Sequence, residues 1–171
     1  TPSFALYIGE SLREQGGDPA GLGLCYGVFG AGPWREGMRG RLQSLWGCPA
    51  VDFYGLSEVI GPGVASECVE ARDGLHLNED HFLPEIVDPT SGVPLPVGRE
   101  GELVLTSLTK EALPMIRYRT GDVTRLDPEP CRCGLTTVRM GRIKGRTDDM
   151  LIIKGVNVFP SQLEAALLTV Q

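Results

Sequence analysis

Apolar residues recur at helical spacing across Phe4–Gln15, "FALYIGESLREQ", and the run stops at "GGDPAG", where glycine, aspartate and proline favour a turn. Leu22–Phe29, "LGLCYGVF", is an apolar stretch of strand length. It gives way to "GAGP", after which Pro33 opens a helix that Gly47 ends. Val51–Tyr54 reads as the next strand. Two strand and helix alternations in about 60 residues predict part of a parallel α/β sheet. From Pro62 the runs shorten. "GLHLNEDHF", "GELVLTSLT" and "MIRYRTGDVTRL" alternate apolar with polar positions and are separated by "DPTSGVPLPVG" and "DPEPCRCG". That texture predicts antiparallel strands joined by turns, in a small β-barrel or sandwich. Beyond Gly145 the charged "GRTDDM" interrupts it, "LIIKG" reads as one more strand, and "PSQLEAALLTV" as a helix with Pro160 at its start.

The fold class expected is therefore α/β plus β-barrel. Residues 1–60 close an α/β subdomain, 61–145 form a β-barrel subdomain, 146–150 a hinge, and 151–171 the opening of a small α+β domain. A helix reached at the terminus, just after a new unit has begun, is the mark of a piece of a longer chain. At 171 residues and 42% hydrophobic the chain can bury a core. No apolar run is long enough to span a bilayer and no export signal opens the sequence, so a cytoplasmic protein without a membrane partner is expected. The net charge of -6, with 16 basic residues scattered among 22 acidic ones, argues against nucleic acid and leaves small molecules as partners. Five cysteines without a secretion signal read as metal ligands or buried apolar side chains before disulfides.

Candidate chemistry begins at "DFYGLSE", Asp52–Glu58. In open α/β sheets ligands bind beyond the carboxyl ends of strands, where Tyr54, Ser57 and Glu58 should fall. A tyrosine face can stack on a base, Gly55 admits a close backbone approach, a serine hydroxyl can donate to phosphate, and a glutamate can hold Mg2+. The plain alternative is a capped turn with Tyr54 in the core and Ser57 bonded locally. In "YRTGD", read as a strand running into a turn at Gly121, Asp122 can accept both hydroxyls of a ribose. In "GRTDDM", Arg146 offers a planar fork for ribose or phosphate oxygens, and Asp148 and Asp149 stand where a hinge would be, or in a solvated linker.

Taken in order, "GAGPW", "DFYGLSE", "YRTGD" and "GRTDDMLIIKGVNVFP" resemble the adenylate-forming superfamily. Within it "YGLSEVIGPGVASEC", "EDHFLPEIVDP", "LTSLTKEALPMIRYRTGDVTRL" and "DDMLIIKGVNVFPSQLE" are similar to the phenylacetate-CoA ligases along nearly the whole chain. The resemblance implies an AMP-forming acid–thiol ligase that takes an aryl acid, ATP, Mg2+ and CoA, usually as a homodimer. Gly32 and Pro33 would line the adenine pocket, with Asp52, Phe53, Tyr54 and Gly55 forming its wall. Ser57 would touch the α-phosphate and Glu58 would hold Mg2+. Asp122 would take the ribose hydroxyls and Arg146 ribose or phosphate. Asp148 matches the hinge, and Gly155 the glycine beside which the pantetheine arm passes. Three departures stand out: Gly32 where an acidic residue is common, Asn157 where arginine is common, and neither the family's Ser/Thr/Gly-rich phosphate loop nor its C-terminal lysine within the chain. The chain alone is therefore expected not to catalyse the full reaction. Two rivals stay open: an adenylating enzyme for another aryl acid or a carrier-protein acceptor, and a non-catalytic nucleotide- or zinc-binding module.

The cysteines carry a separate expectation. "CRCG" places Cys131 and Cys133 one residue apart in a turn, too close for ordinary disulfide geometry but suited to paired ligation. If the strands ending at Cys68 and holding His76 pair as a hairpin, a third strand ending in "CRCG" completes a structural Cys3His zinc site; His81 is the competing histidine. Cys25 and Cys48 read as buried, Trp34 and Trp46 as packing, and Asn78–Asp80 as a solvated turn.

Overall fold

The computed structural model describes residues 1–30, 36–149, 151–153, 156–158, 160, 163 and 166–167. Gly32, Pro33, Trp34 and Gly155 lie outside them. The chain divides into two units, Thr1–His76 with Cys131–Leu135, and Leu77–Pro130 with Thr136–Gln171.

In the first unit, α1 (Pro2–Glu14) starts on a proline, whose missing N–H costs nothing in a first turn. Its Leu6 packs with Leu42 and Leu45 of α2 (Glu36–Trp46) and with Ala50, and Ala5, Phe29, Met38 and Trp46 close over this core. The Trp46 indole N–H donates to the Ala5 carbonyl at 3.3 Å, so the ring is a packing residue as expected. Strand β1 (Gly27–Phe29) pairs in parallel with β2 (Ala50–Leu56), the α/β alternation read from the sequence. The strand expected from Leu22 begins only at Gly27. Ala20–Leu22 make a single 3-10 turn and Gly23 takes a left-handed φ of 66°. The ladder starts where its partner does: the Gly27 N–H reaches the Pro49 carbonyl at 2.9 Å, and Pro49 has no N–H to return. Cys25, ahead of that start, is exposed and not buried, whereas Cys48 is buried. β2 turns back into antiparallel β3 (Ile60–Ser66), and β4 (Leu75–Leu77) lies beside β3.

The second unit carries β5 (Phe82–Val87), β6 (Gly101–Ser107), β7 (Tyr118–Thr124), β8 (Leu126–Asp127), β9 (Arg139–Met140), β10 (Gly145–Arg146), β11 (Leu151–Ile153) and β12 (Val156–Val158). The order β10-β7-β6-β5 is antiparallel throughout, as the alternation predicts, and β8 pairs with β9 and β11 with β12. Leu103, Val104 and Leu105 are all buried, so β6 is covered on both faces. The "DPTSG" turn after β5 is tied by the Asp88 carboxylate, which accepts from the Ser91 and Thr90 amides and the Ser91 hydroxyl. No helix among the described residues is long and apolar enough to cross a membrane.

Candidate functional site

The β2–β3 hairpin explains the order of residues in "DFYGLSEV". The strand runs past Tyr54 to Leu56, and Ser57–Val59 form the turn. Val59 is buried to 1% exposure and its N–H donates to the Leu56 carbonyl at 3.1 Å. With the turn pinned on that side chain, Ser57 and Glu58 are left exposed at its tip. At Gly55 the pairing slips between Tyr54 and Leu56, and a Cβ there would lie 2.8 Å from the Gly63 nitrogen and 3.1 Å from its Cα. The close approach that requires this glycine is thus the partner strand's own backbone. The half-buried Phe53 lies against Gly30, where a Cβ would meet its ring at 2.8 Å. Gly55→Ala is expected to destabilise the protein by about 1–3 kcal/mol, because the two backbones must part. An unchanged urea midpoint would show that they part freely.

"YRTGD" is not a strand running into a turn. It lies inside β7, and the irregularity is a bulge: Glu102 pairs with Val123 and Val104 with Arg119, leaving Leu103 opposite Thr120–Asp122. Gly121 sits there at a φ of 78°. A bulge leaves backbone groups unpaired, and side chains take them up. Thr120 Oγ1 donates to the Leu103 carbonyl at 2.9 Å and accepts from the Asp122 amide at 3.0 Å, and buried Glu102 accepts from the Gly121 amide at 3.1 Å. Arg119 closes on Glu102 from the other side at 3.0 Å. The result aims Asp122 at Arg146, whose Nη1 reaches Asp122 Oδ1 at 2.9 Å while Nε and Nη2 grip Asp148 at 2.9 and 3.0 Å. Asp148 and then Asp122 push the Arg146 pKa well above its ordinary value, and Arg146 pulls the Asp148 carboxyl below its own. The Arg146 fork is therefore already engaged by two carboxylates in this conformation, Asp122 and Asp148.

The cysteine–histidine cluster forms within the first unit. Cys68, His76, Cys131 and Cys133 bring their ligating atoms within 4.8 Å of one another. Cys131–Gly134 is the turn expected, tightened by the Gly134 amide on the Cys131 carbonyl at 2.9 Å. His81, the competing histidine, belongs to the second unit, where its Nδ1 lies 2.8 Å from Thr109 Oγ1.

Comparison with known proteins bears on what these features serve. No family-wide sequence model matches the chain. It is 57% identical over 170 residues to the phenylacetate-coenzyme A ligase of Thermus thermophilus, and 58% identical over 169 residues to that of Escherichia coli. Along nearly its whole length the chain is similar to phenylacetate-CoA ligases. These matches take in 99% and 98% of the chain and 38% of each relative, so the chain spans well under half the length of the curated relatives it matches. The fold agrees: an open conformation of 2-hydroxyisobutyryl-CoA ligase, solved with 2-HIB-AMP and CoA, superposes with a TM-score of 0.88 at 31% identity, over 99% of this chain and 40% of that one. The mixed α/β architecture expected for part of an adenylate-forming ligase is therefore observed.

One pair of residues is not legible in the sequence pattern. Arg39 of α2 and Glu67, just past β3, are buried to 3% and 7% exposure and meet through two bonds of 2.8 Å. Arg39 also donates to the Ala50 carbonyl at 2.7 Å, and Glu67 Oε2 accepts from the Asp52 amide at 2.9 Å. Burial lowers the Arg39 pKa, but the bond and charge of Glu67 outweigh it and the net shift is upward. The pair fastens the helix and both strands of the hairpin at the residue where "DFYGLSE" starts. The available signal was a carboxylate closing an otherwise apolar and small-residue strand, "GPGVASE".

Proposed function

We propose that this chain serves an AMP-forming aryl-CoA ligase that converts phenylacetate, ATP and CoA to phenylacetyl-CoA, AMP and pyrophosphate, in the cytoplasm and as a homodimer. The observation that carries the reading is 53–58% identity to phenylacetate-CoA ligases across 96–100% of the chain. In the first half-reaction a carboxylate oxygen bonds to the α-phosphorus of ATP and the bond to pyrophosphate breaks. In the second, the CoA sulfur bonds to the acyl carbon, AMP leaves, and the thiol proton passes to solvent. Both steps bring anions together, so catalysis consists of positioning and charge neutralisation.

The residues are assigned accordingly. Tyr54 stacks on the adenine, with Asp52 near its amino group and Gly32 and Pro33 along its edge. Ser57 donates to the α-phosphate. Exposed at the hairpin tip, Glu58 offers the single hard oxygen donor that suits Mg2+, an ion that keeps waters and substrate phosphates as its other ligands. When bound, that ion neutralises phosphate charge. Asp122, steadied by the β7 bulge and Arg146, takes the ribose hydroxyls. Asp148 is the hinge, and Gly155 borders the path of the pantetheine arm. The cysteine–histidine cluster shares no residue with this set.

The test is AMP release from ATP by the full-length protein, with phenylacetate, a panel of benzoates and 2-hydroxyisobutyrate, with and without CoA. Phenylacetate is expected to give the fastest release and, with CoA, a thioester. A preference for another acid would overturn the substrate assignment, and a thioester only on a carrier protein would overturn the acceptor. No release with any acid would remove the ligase reading.

A further inference from the structure

The geometry points to one zinc ion held by Cys68 Sγ, His76 Nε2, Cys131 Sγ and Cys133 Sγ, in a closed structural site that fastens the Cys131–Leu135 turn to the end of β3 and to β4. The argument is metric. In a tetrahedral site with Zn–S of about 2.3 Å and Zn–N of about 2.0–2.1 Å, two sulfurs stand about 3.8 Å apart and a sulfur and a nitrogen about 3.5 Å. Cys68 Sγ and Cys131 Sγ are 3.8 Å apart, and Cys133 Sγ and His76 Nε2 are 3.5 Å apart. Two edges that share no vertex thus both have the length that a central zinc requires. A disulfide needs about 2.05 Å between sulfurs, and all of these cysteines are free.

The donor set narrows the metal. Three thiolates and an imidazole are soft and borderline ligands, which select zinc over magnesium or calcium. Four protein ligands fill a tetrahedron, so no position is left for water or substrate and the role is structural. Ligation through Nε2 puts the histidine's proton on Nδ1.

The surroundings are built for the turn to stay. The Cys131 amide donates to the Leu135 carbonyl at 3.1 Å, the Ala71 amide donates to Cys68 Sγ at 3.4 Å, and Arg132 Nη2 donates to the Glu70 and Ala71 carbonyls. The bridged pairs are 63 and 57 residues apart in the chain, and closing loops of that length is where a metal clip removes most unfolded-state entropy.

The experiment is elemental analysis of the full-length protein, produced with zinc in the medium and purified without a metal-affinity tag. Stoichiometric zinc is expected in the wild type, unchanged zinc in Cys48→Ser, and near-complete loss in a Cys131→Ser/Cys133→Ser double variant. Zinc-free wild type, stoichiometric iron or copper in its place, or zinc fully retained by the double variant overturns the assignment. Should the double variant fail to fold, wild type refolded with Co2+ decides: an intense thiolate-to-cobalt band with tetrahedral visible absorption is expected, and the weak spectrum of an octahedral oxygen site overturns it. Neither readout depends on ligase activity, so a failed substrate assignment leaves this result standing.

Discussion

Glu67→Gln lowers the unfolding free energy by about 3–5 kcal/mol, the cost of removing the buried partner of a buried charge, whose remaining ion pair, at 3.3 Å, is with an exposed Glu36. Glutamine keeps the volume, so no cavity contributes; what changes is that the Arg39 guanidinium, its side chain 4% exposed, faces a neutral amide. The loss is measured by urea unfolding, and a drop of under about 1 kcal/mol would mean that the pair is not buried in solution. The double variant Arg39→Met/Glu67→Leu sharpens the test. Replacing a buried ion pair with apolar side chains is often neutral, but here the pair also serves the Ala50 carbonyl and the Asp52 amide. Each of those orphaned groups costs about 1–3 kcal/mol, so the double variant recovers only part of the stability. Recovery beyond the wild type would show that the two backbone groups find other partners.

Glu58→Gln has the opposite profile. The side chain is at an exposed turn, where substitutions change stability by about 0.5 kcal/mol or less. If Glu58 holds the ion that offsets charge on the transferring phosphate, the full-length ligase loses about 10²–10³-fold in kcat/KM for adenylation, the scale seen when a preorganised electrostatic contact is removed. The Mg2+ concentration needed for half-maximal rate rises as well. Unchanged adenylation at limiting Mg2+ would strike Glu58 from the metal site, whatever the variant's stability. Two glutamates on one hairpin thus carry separable consequences, one in folding and one in chemistry.

Local pattern was enough for α1, α2 and the antiparallel strands from β5 to β7, because helical periodicity and polar alternation report which side of each segment will be covered. The motifs were equally plain, since a candidate set such as "YGLSE" is contiguous. By itself the sequence thus determined the element types, the resemblance to phenylacetate-CoA ligases and the candidate nucleotide residues. It also marked the CxC pair of the cysteine–histidine cluster. The tertiary structure decided whatever depends on a partner distant in the chain. Where β1 begins is set by Pro49, and the bulge at Gly121 exists only as a mismatch of register with β6. His76 and not His81 joins the cysteines because the first lies in their unit and the second in the other. Arg39 and Glu67 are 28 residues apart, and neither carries a local sign that it will be buried against the other. Hydrophobic periodicity fixes which residues leave water, but the pairing of charges that leave with them is fixed only when the segments meet.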